Sequence, residues 1–482
     1  MSRFLCISVT LLDPRFHGRA DRNQPEWPPS PMRLFQAMLN GSCIGGRRLN
    51  AATTEAFRWL ECRDPPLIIA PDAVRAAQYE LPIPNNDSDK KFDRQDRLSQ
   101  KPVRPHWLKG EAVLRYIWEI LDTEWQTAQP HAETLCVEAR RLLALGWGID
   151  MAFGDGRVLR STEKTSLKGI RWKPWPVFTS PDMGRRVPKT TSLADLQKVY
   201  RSFRASVDVQ RNLYRPPLKP TVYDKAIYLK DGSLPPRPRV AFLFEAPGSE
   251  ERPRAFLQTR TSLVAAMLRH CTCQAARNDP HWKGVDTGKY VAGHAGNSEE
   301  SLPRFSYLPL PSVGHPHADG LIRRVLIAEP YGATGEHSRW AKRRLNRSEL
   351  LDEDTRKPRA VLAPIEDSDD RVLAAYLDPA EWWFSVTPVI LPGQDDHKRA
   401  KADKLLMKAI GQAGIDFATV AEFRLQKAPL WPGSQHSRYY FAPEHLRHLP
   451  RWHVAVRFRN EITGPLAFGA GRHCGLGLFA HA

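Results

Sequence analysis

The chain has 482 residues, enough for two to three domains at the usual ~100–200 residues each. Lysine and arginine total 71 against 53 aspartates and glutamates, a formal charge of +18, which points to nucleic acid or an anionic surface as partner. The seven cysteines are scattered without a disulfide framework. The opening MSRFLCISVTLL lacks the basic region and cleavage site of a signal peptide, and no apolar run is long enough to span a bilayer. A cytoplasmic, membrane-free protein is therefore expected.

In chain order, Phe4 to Leu12 alternates as a first strand, and RFHGRADRNQPEWPPSP follows as a basic loop. Ser30 and Pro31 suit the N-cap and first position of a helix carrying Leu34 and Met38. The polar stretch from Tyr79 to Lys109 reads as an insertion or projecting arm. LLALGWGIDMAFGDGRVLR reads as strand, turn, strand, with Asp155-Gly156 as the hairpin signal. Proline-rich punctuation between Arg215 and Pro238 marks a joint, dividing the chain into modules 1–225 and 226–482.

The second module opens with a strand, Val240 to Glu245. Glu250 and Glu251 are expected at the positive end of a helix whose face carries Leu257, Val264 and Leu268. Strands follow at Phe305–Leu310 and Leu321–Ala328, then the basic segment RWAKRRLNR, a strand-like run from Trp382 to Leu391, and a basic helix from Asp396 to Gln412 closed by Gly414. In the last alternating strand Val454, Val456 and Phe458 face one way, and His453, Arg457 and Arg459 the other. The expected fold is α+β: two tandem modules of ferredoxin-like (RRM-like) βαββαβ type with a Gly-rich C-terminal loop.

That loop, GPLAFGAGRHCGLGLF, concentrates Gly469, Gly471, Gly475 and Gly477 around Arg472 and His473. Glycines let a backbone approach phosphate, and successive amides can form an anion nest. A dinucleotide fingerprint would need a helix after the glycines, and GVDTGKY is one residue short of a P-loop. The competing reading is a tight turn packed on the sheet.

The loop resembles the C-terminal glycine loop of the RAMP proteins of CRISPR systems. With FLCISVTLLDPRFHGR, EWPPSPMRLFQAML and YLPLPSVGHPHADGLIRRVLI, the whole chain resembles the fused subunit of type I-U (I-G) CRISPR effector complexes. The resemblance implies that the N-terminal half holds the 5′ handle of crRNA. It implies that the C-terminal half cleaves precursor crRNA within its repeats without a metal or other cofactor and retains the 3′ stem-loop. The implied partners are multi-copy backbone and large subunits of a Cascade complex, which meets target DNA only as an assembly.

Metal-free RNA cleavage needs a base for the 2′-OH, an acid for the 5′ oxygen and a cation for the phosphorane. His294 in GKYVAGHAG is the first candidate, with Lys289 and Tyr290 close in sequence; the alternative is a loop histidine that only binds RNA or solvent. His315 and His317 come second, as an acid or, with Asp319, as turn stabilisers. His473 is a candidate for RNA contact. Cys271-x-Cys273 beside His270 lacks a second knuckle for zinc, and no carboxylate cluster suggests a two-metal nuclease. Arg343, Arg344, Lys401, Lys404, Arg457 and Arg459 are candidate phosphate contacts in the second module, and Arg15, Arg19 and Arg33 in the first. Two alternatives to the nuclease stay open: a non-catalytic RNA-binding subunit, and a metal-dependent nuclease.

Overall fold

Alternating apolar residues make Arg3–Leu11 a strand, β1, second from one edge of a seven-stranded antiparallel sheet. The computed structural model describes residues 2–21, 25–84, 98–175, 184–208, 213–214, 218–235, 237–248, 252–293, 303–365 and 370–481. The described residues up to Gly232 form one unit and those from Ser233 a second.

In the first unit, helices α1 (Pro31–Cys43) and α2 (Ala51–Glu61) lead to β2 (Leu67–Ala70). After β3 (Val113–Ile120), helix α3 (Trp125–Ala139) leads to β4 (Ala152–Arg160). The sheet order is β2-β3-β1-β4, extended beyond β2 by Ile170–Trp175, Asp224–Lys230 and Arg185–Val187. Ser30 and Pro31 begin α1 as the sequence predicts, although the Ser30 side chain makes no capping bond. Leu34, Phe35 and Met38 of α1 and Phe57 and Leu60 of α2 close over Leu5, Ile7 and Val9 of β1 to form the core. The segments Tyr79–Pro84 and Leu98–Val103 pair as a hairpin within the polar stretch.

Asp155-Gly156 is not a hairpin turn. β4 runs through it, with Ile7 opposite Gly156 and Ser8 opposite Asp155. The glycines are there because α3 lies against this strand. A Cβ on Gly156 would stand 2.3 Å from the Cys136 Cα, and one on Gly154 would stand 2.2 Å from the Ala139 carbonyl oxygen.

The described residues of the second unit form two sheets. The first joins β5 (Arg239–Glu245), α4 (Thr261–Ala276), β6 (Ser306–Pro311), β7 (Ile322–Ala328), α5 (Glu336–Arg344) and β8 (Pro358–Ile365), in strand order β6-β7-β5-β8. The second joins β9 (Ala380–Ser385), α6 (Arg399–Gln412), β10 (Val420–Gln426), β11 (Arg451–Ile462) and β12 (Phe479–Ala480). There β11 and β12 flank β9, and β10 lies against β11. In all three four-strand sets the first strand sits between the third and the fourth, and the second flanks the third.

Several expectations shift in detail. Helix α4 starts at Thr261, so Leu257 precedes it and is exposed while Val264 and Leu268 are buried; Glu250 and Glu251 lie outside the described residues. RWAKRRLNR supplies α5. The run from Trp382 to Leu391 breaks into β9 and the short Val389–Ile390, and α6 begins at Arg399 rather than Asp396. His453 is not on a polar face: it is fully buried, its Nε2 3.1 Å from the Gln435 carbonyl.

Two outcomes test this packing. Gly156→Ala should lower the urea midpoint by the equivalent of about 2–3 kcal/mol, because the added methyl meets helix backbone that cannot give way. His106 is buried, and burial, then the Arg75 and Arg185 charges, push its pKa down to about 4. A neutral buried histidine contributes stability that is complete above its unfolded pKa and lost as pH falls toward the folded one. Between about pH 6.5 and 4 wild type should therefore lose roughly 3 kcal/mol that His106→Gln does not, read from unfolding curves at each pH.

Candidate functional site

The segment after β11 returns to the sheets of the second unit and is fixed there by a buried guanidinium. Arg237 is 6 % exposed. Its Nε donates to the Glu329 carbonyl (2.9 Å), its Nη1 to the Pro465 carbonyl (3.2 Å) and its Nη2 to Ser306 Oγ (2.6 Å). Arginine can only donate, so the Ser306 hydroxyl proton is free for His473 Nδ1, 2.9 Å away. That arrangement favours the His473 tautomer carrying hydrogen on Nε2. The backbone N–H of Tyr307 donates to the His473 carbonyl (3.1 Å), which ties the glycine segment to β6.

The glycines shape this seat. Gly475 has φ +80°, and a Cβ there would fall 2.7 Å from both Pro309 Cδ and Thr261 Oγ1. Its carbonyl accepts from Thr387 Oγ1 at 2.9 Å and Thr261 Oγ1 at 3.4 Å. Gly469, Gly471 and Gly477 are buried as well, and the Gly477 amide donates to the Pro388 carbonyl (2.9 Å). The segment is thus a packed turn, with Arg472, His473 and Cys474 half-buried along it.

Beside it lies a cavity of 350 Å³ lined by Arg269 of α4, Gly293, Arg304, His445, His473 and Cys474, among others. Among the described residues lining it, none is acidic. Arg304 Nη1 donates to the Gly293 carbonyl (3.0 Å). Burial, then the neighbouring Arg304 and Arg237 charges, push Arg472 down to about 10. The same causes act on His473: burial first, then Arg304, Arg472 and Arg237, depress its pKa far below the usual histidine range. His473 is a neutral imidazole at physiological pH. Its Nε2 is buried and has no hydrogen-bond partner among the described residues; the Phe305 carbonyl favours its charged form only weakly. Clustered cations short of anions are a setting in which an arriving phosphate gains more than it would in water.

The sequence candidates fall in different places. His294 lies outside the described residues, one position beyond the cavity-lining Gly293. Tyr290 donates its hydroxyl to Glu329 Oε2 (3.2 Å) within an aromatic cluster with Trp282, Phe305 and His337, and burial and that carboxylate hold its phenol well above the usual range. Lys289 is exposed beside Asp286. His315 Nε2 meets Ser312 Oγ (2.8 Å) in a turn, where Asp319 accepts from the Leu321 amide and pairs with Arg323; His317 is exposed.

The basic candidates are dispersed. Arg344 pairs with Asp279 (3.3 Å), Lys401 with Asp396 (2.5 Å) and Arg457 with Glu422 (3.1 Å), and Arg459 Nε donates to the Ala418 carbonyl. Arg343 and Lys404 are exposed. In the first unit Arg15 is bidentate to Asp13, Arg33 pairs with Glu26 (2.7 Å), and Arg19 lies over the Trp147 ring. Of the candidates among the described residues only His473 lines the cavity, and Arg472 precedes it in the chain.

Sequence reasoning passed over Arg237, Arg269, Arg304, Ser306 and His445. It read Arg237 as part of a proline-rich joint, and the others carry no local motif. It also missed a pair of imidazoles, His281 Nε2 and His337 Nδ1, 2.9 Å apart and stacked on Trp340 and Trp282 respectively. The seven cysteines are free thiols, and Cys271 and Cys273 pack against the core. Among the described residues no group of three or more metal-ligating side chains comes together, and no helix is long and apolar enough to cross a membrane.

A family model described as CRISPR-associated protein, GSU0054 family, matches residues 1–481. No curated protein matches the chain.

Two measurements probe the site. Ser306→Ala removes an acceptor from Arg237 and a donor from His473, and should cost about 1–3 kcal/mol in unfolding experiments. His473 is kept neutral by burial first and by the Arg304, Arg472 and Arg237 charges second, and an RNA phosphate bound beside Arg304 would offset those charges. Binding should therefore take up protons and strengthen as pH falls, seen as a dependence of the calorimetric heat on the ionisation enthalpy of the buffer.

Proposed function

The chain belongs to the GSU0054 family of CRISPR-associated proteins, and on that premise we propose that it binds guide RNA and cleaves its precursor. Cleavage falls within the repeats, in the second unit, by attack of a ribose 2′-OH without a metal. The protein then stays with the RNA in an effector complex that includes backbone and large subunits. The observation that carries the reading is the cavity lined by Arg269, Arg304, His445 and His473 with no acidic side chain among the described residues that line it.

In that cavity Arg304 and Arg269 hold the scissile phosphate and stabilise the charge of the phosphorane. His445 is exposed at the rim and can carry a proton. His294 follows Gly293 and is the candidate base. His473 is kept neutral and oriented by Ser306, and donates from Nε2 to a phosphate oxygen. The repeated strand order supports reading each four-strand set as ferredoxin-like, a fold whose open face suits single-stranded RNA. The first unit, with Arg15, Arg19 and Arg33, is assigned to the 5′ handle.

A non-catalytic RNA-binding subunit is the rival reading, favoured by the burial of His473 and by the turn that holds His315. Cleavage of the cognate repeat RNA in EDTA separates the two. The nuclease reading predicts a 2′,3′-cyclic phosphate and a 5′-OH, no cut when the scissile ribose is 2′-deoxy, and a loss of roughly 10²-fold or more in His294→Ala. Arg304→Ala should weaken RNA binding and lower the salt slope by about 1. An uncut repeat under every condition would leave only the binding role.

A further inference from the structure

The first unit contains a second chain of proton-carrying groups. The buried Asp150 carboxylate accepts through Oδ1 from the His17 backbone N–H (3.0 Å) and lies 2.7 Å from His17 Nδ1. His17 Nε2 is 2.5 Å from the Tyr79 hydroxyl. The His17 and Asp150 side chains are 3 % and 0 % exposed, whereas Tyr79 is only half-buried. With Nδ1 donating to the carboxylate, Nε2 is left as an acceptor and Tyr79 donates to it. Asp150 Oδ2 is buried without a partner among the described residues. The carboxylate therefore has charge to spare for an imidazolium formed when Tyr79 releases its proton.

A structural anchor for a hairpin needs one hydrogen bond. Here a buried carboxylate stands behind a buried imidazole, and the reachable end is a phenol. Two arginines lie near that end, Arg19 and Arg15, the second of them paired with Asp13. Arg19 donates to the carbonyl of Pro102, whose partner across the hairpin is Glu80, next to Tyr79. Its guanidinium lies over Trp147, in the same turn as Asp150. Arg15 is close enough for its charge to interact with Tyr79.

We propose that Tyr79 is the proton-transfer residue of a second RNA-cleaving site, in the first unit, with His17 behind it as proton acceptor and Asp150 as the positioning residue. Its substrate is single-stranded RNA, held through its phosphates by Arg19 and Arg15. Tyr79 takes the proton of a ribose 2′-OH as its own proton passes to His17 Nε2. The 2′ oxygen bonds to the adjacent phosphorus, the P–O5′ bond breaks, and the proton held on His17 returns through Tyr79 to the departing 5′ oxygen. The products are a 2′,3′-cyclic phosphate and a 5′-OH, with no net proton gained or lost.

The test uses the full chain in EDTA with end-labelled repeat RNA carrying flanking spacer, at excess protein. Arg304→Ala should keep one cut with cyclic-phosphate ends, and adding Tyr79→Phe should slow that cut by roughly 10²-fold. Tyr79→Phe alone should leave the Arg304-dependent product unchanged. Asp150→Asn in the Arg304→Ala background should move the pH–rate profile of the remaining cut, a change that a purely structural role would not produce. If Arg304→Ala cuts nowhere, or cuts equally fast with Phe at position 79, the proposal is overturned. If Tyr79→Phe abolishes all cutting while Arg304→Ala has no effect, this site stands and the reading of the second-unit cavity fails.

Discussion

A buried guanidinium that no carboxylate faces among the described residues organises the second unit. Arg237 gives its hydrogens to two carbonyls and one serine hydroxyl, and its plane lies over Tyr331. Taking a charge out of water is costly, and this one is tolerable only because each nitrogen finds an oxygen. The oxygens come from Glu329 at the end of β7, Ser306 at the start of β6 and Pro465 of the returning C-terminal segment. The same bond that satisfies the charge orients His473, so the packing of the unit and the chemistry of the cavity share one hydrogen-bond chain.

The positive field follows from that choice. Burial first, and then the charges of Arg304, Arg472 and Arg237, keep one imidazole neutral. An acid in the cavity would relieve the crowding, but it would also compete with a phosphate. A site that gathers positive charge gives up some stability and gains selectivity for a polyanion, in line with the net charge of the whole chain. The first unit is arranged differently. Many of its arginines are tied to carboxylates such as Asp13, Glu26, Glu124 and Glu138, and its sharpest polar feature is the Asp150–His17–Tyr79 chain rather than a cationic hollow.

The sequence was most legible where a single segment carries its own signal. β1, the start of α1 and strands β5 to β7 follow from alternation, from Ser30-Pro31 and from apolar runs. It misled at Asp155-Gly156, where glycine answers to the close approach of α3 rather than to a turn, a contact that local pattern cannot reveal. The C-terminal glycines were visible as a cluster. Their burial was not, because it depends on Thr261, Pro309 and Thr387, far away in sequence. The cavity was least legible of all. Arg269, Arg304 and His445 are unremarkable singly and become a site only when α4, the approach to β6 and the segment before β11 converge. His294 was singled out from its loop, and the segment before it does reach the cavity through Gly293.

The most direct measurement is where RNA touches the protein. Repeat RNA carrying a photoactivatable uridine can be crosslinked to the full chain and the attached peptides identified by mass spectrometry. Contacts in the second unit should concentrate on the segments around Gly293–Arg304, His445 and Arg472–Cys474. Crosslinks confined to the exposed basic helices carrying Arg343 and Lys404, with none at the cavity, would contradict the account.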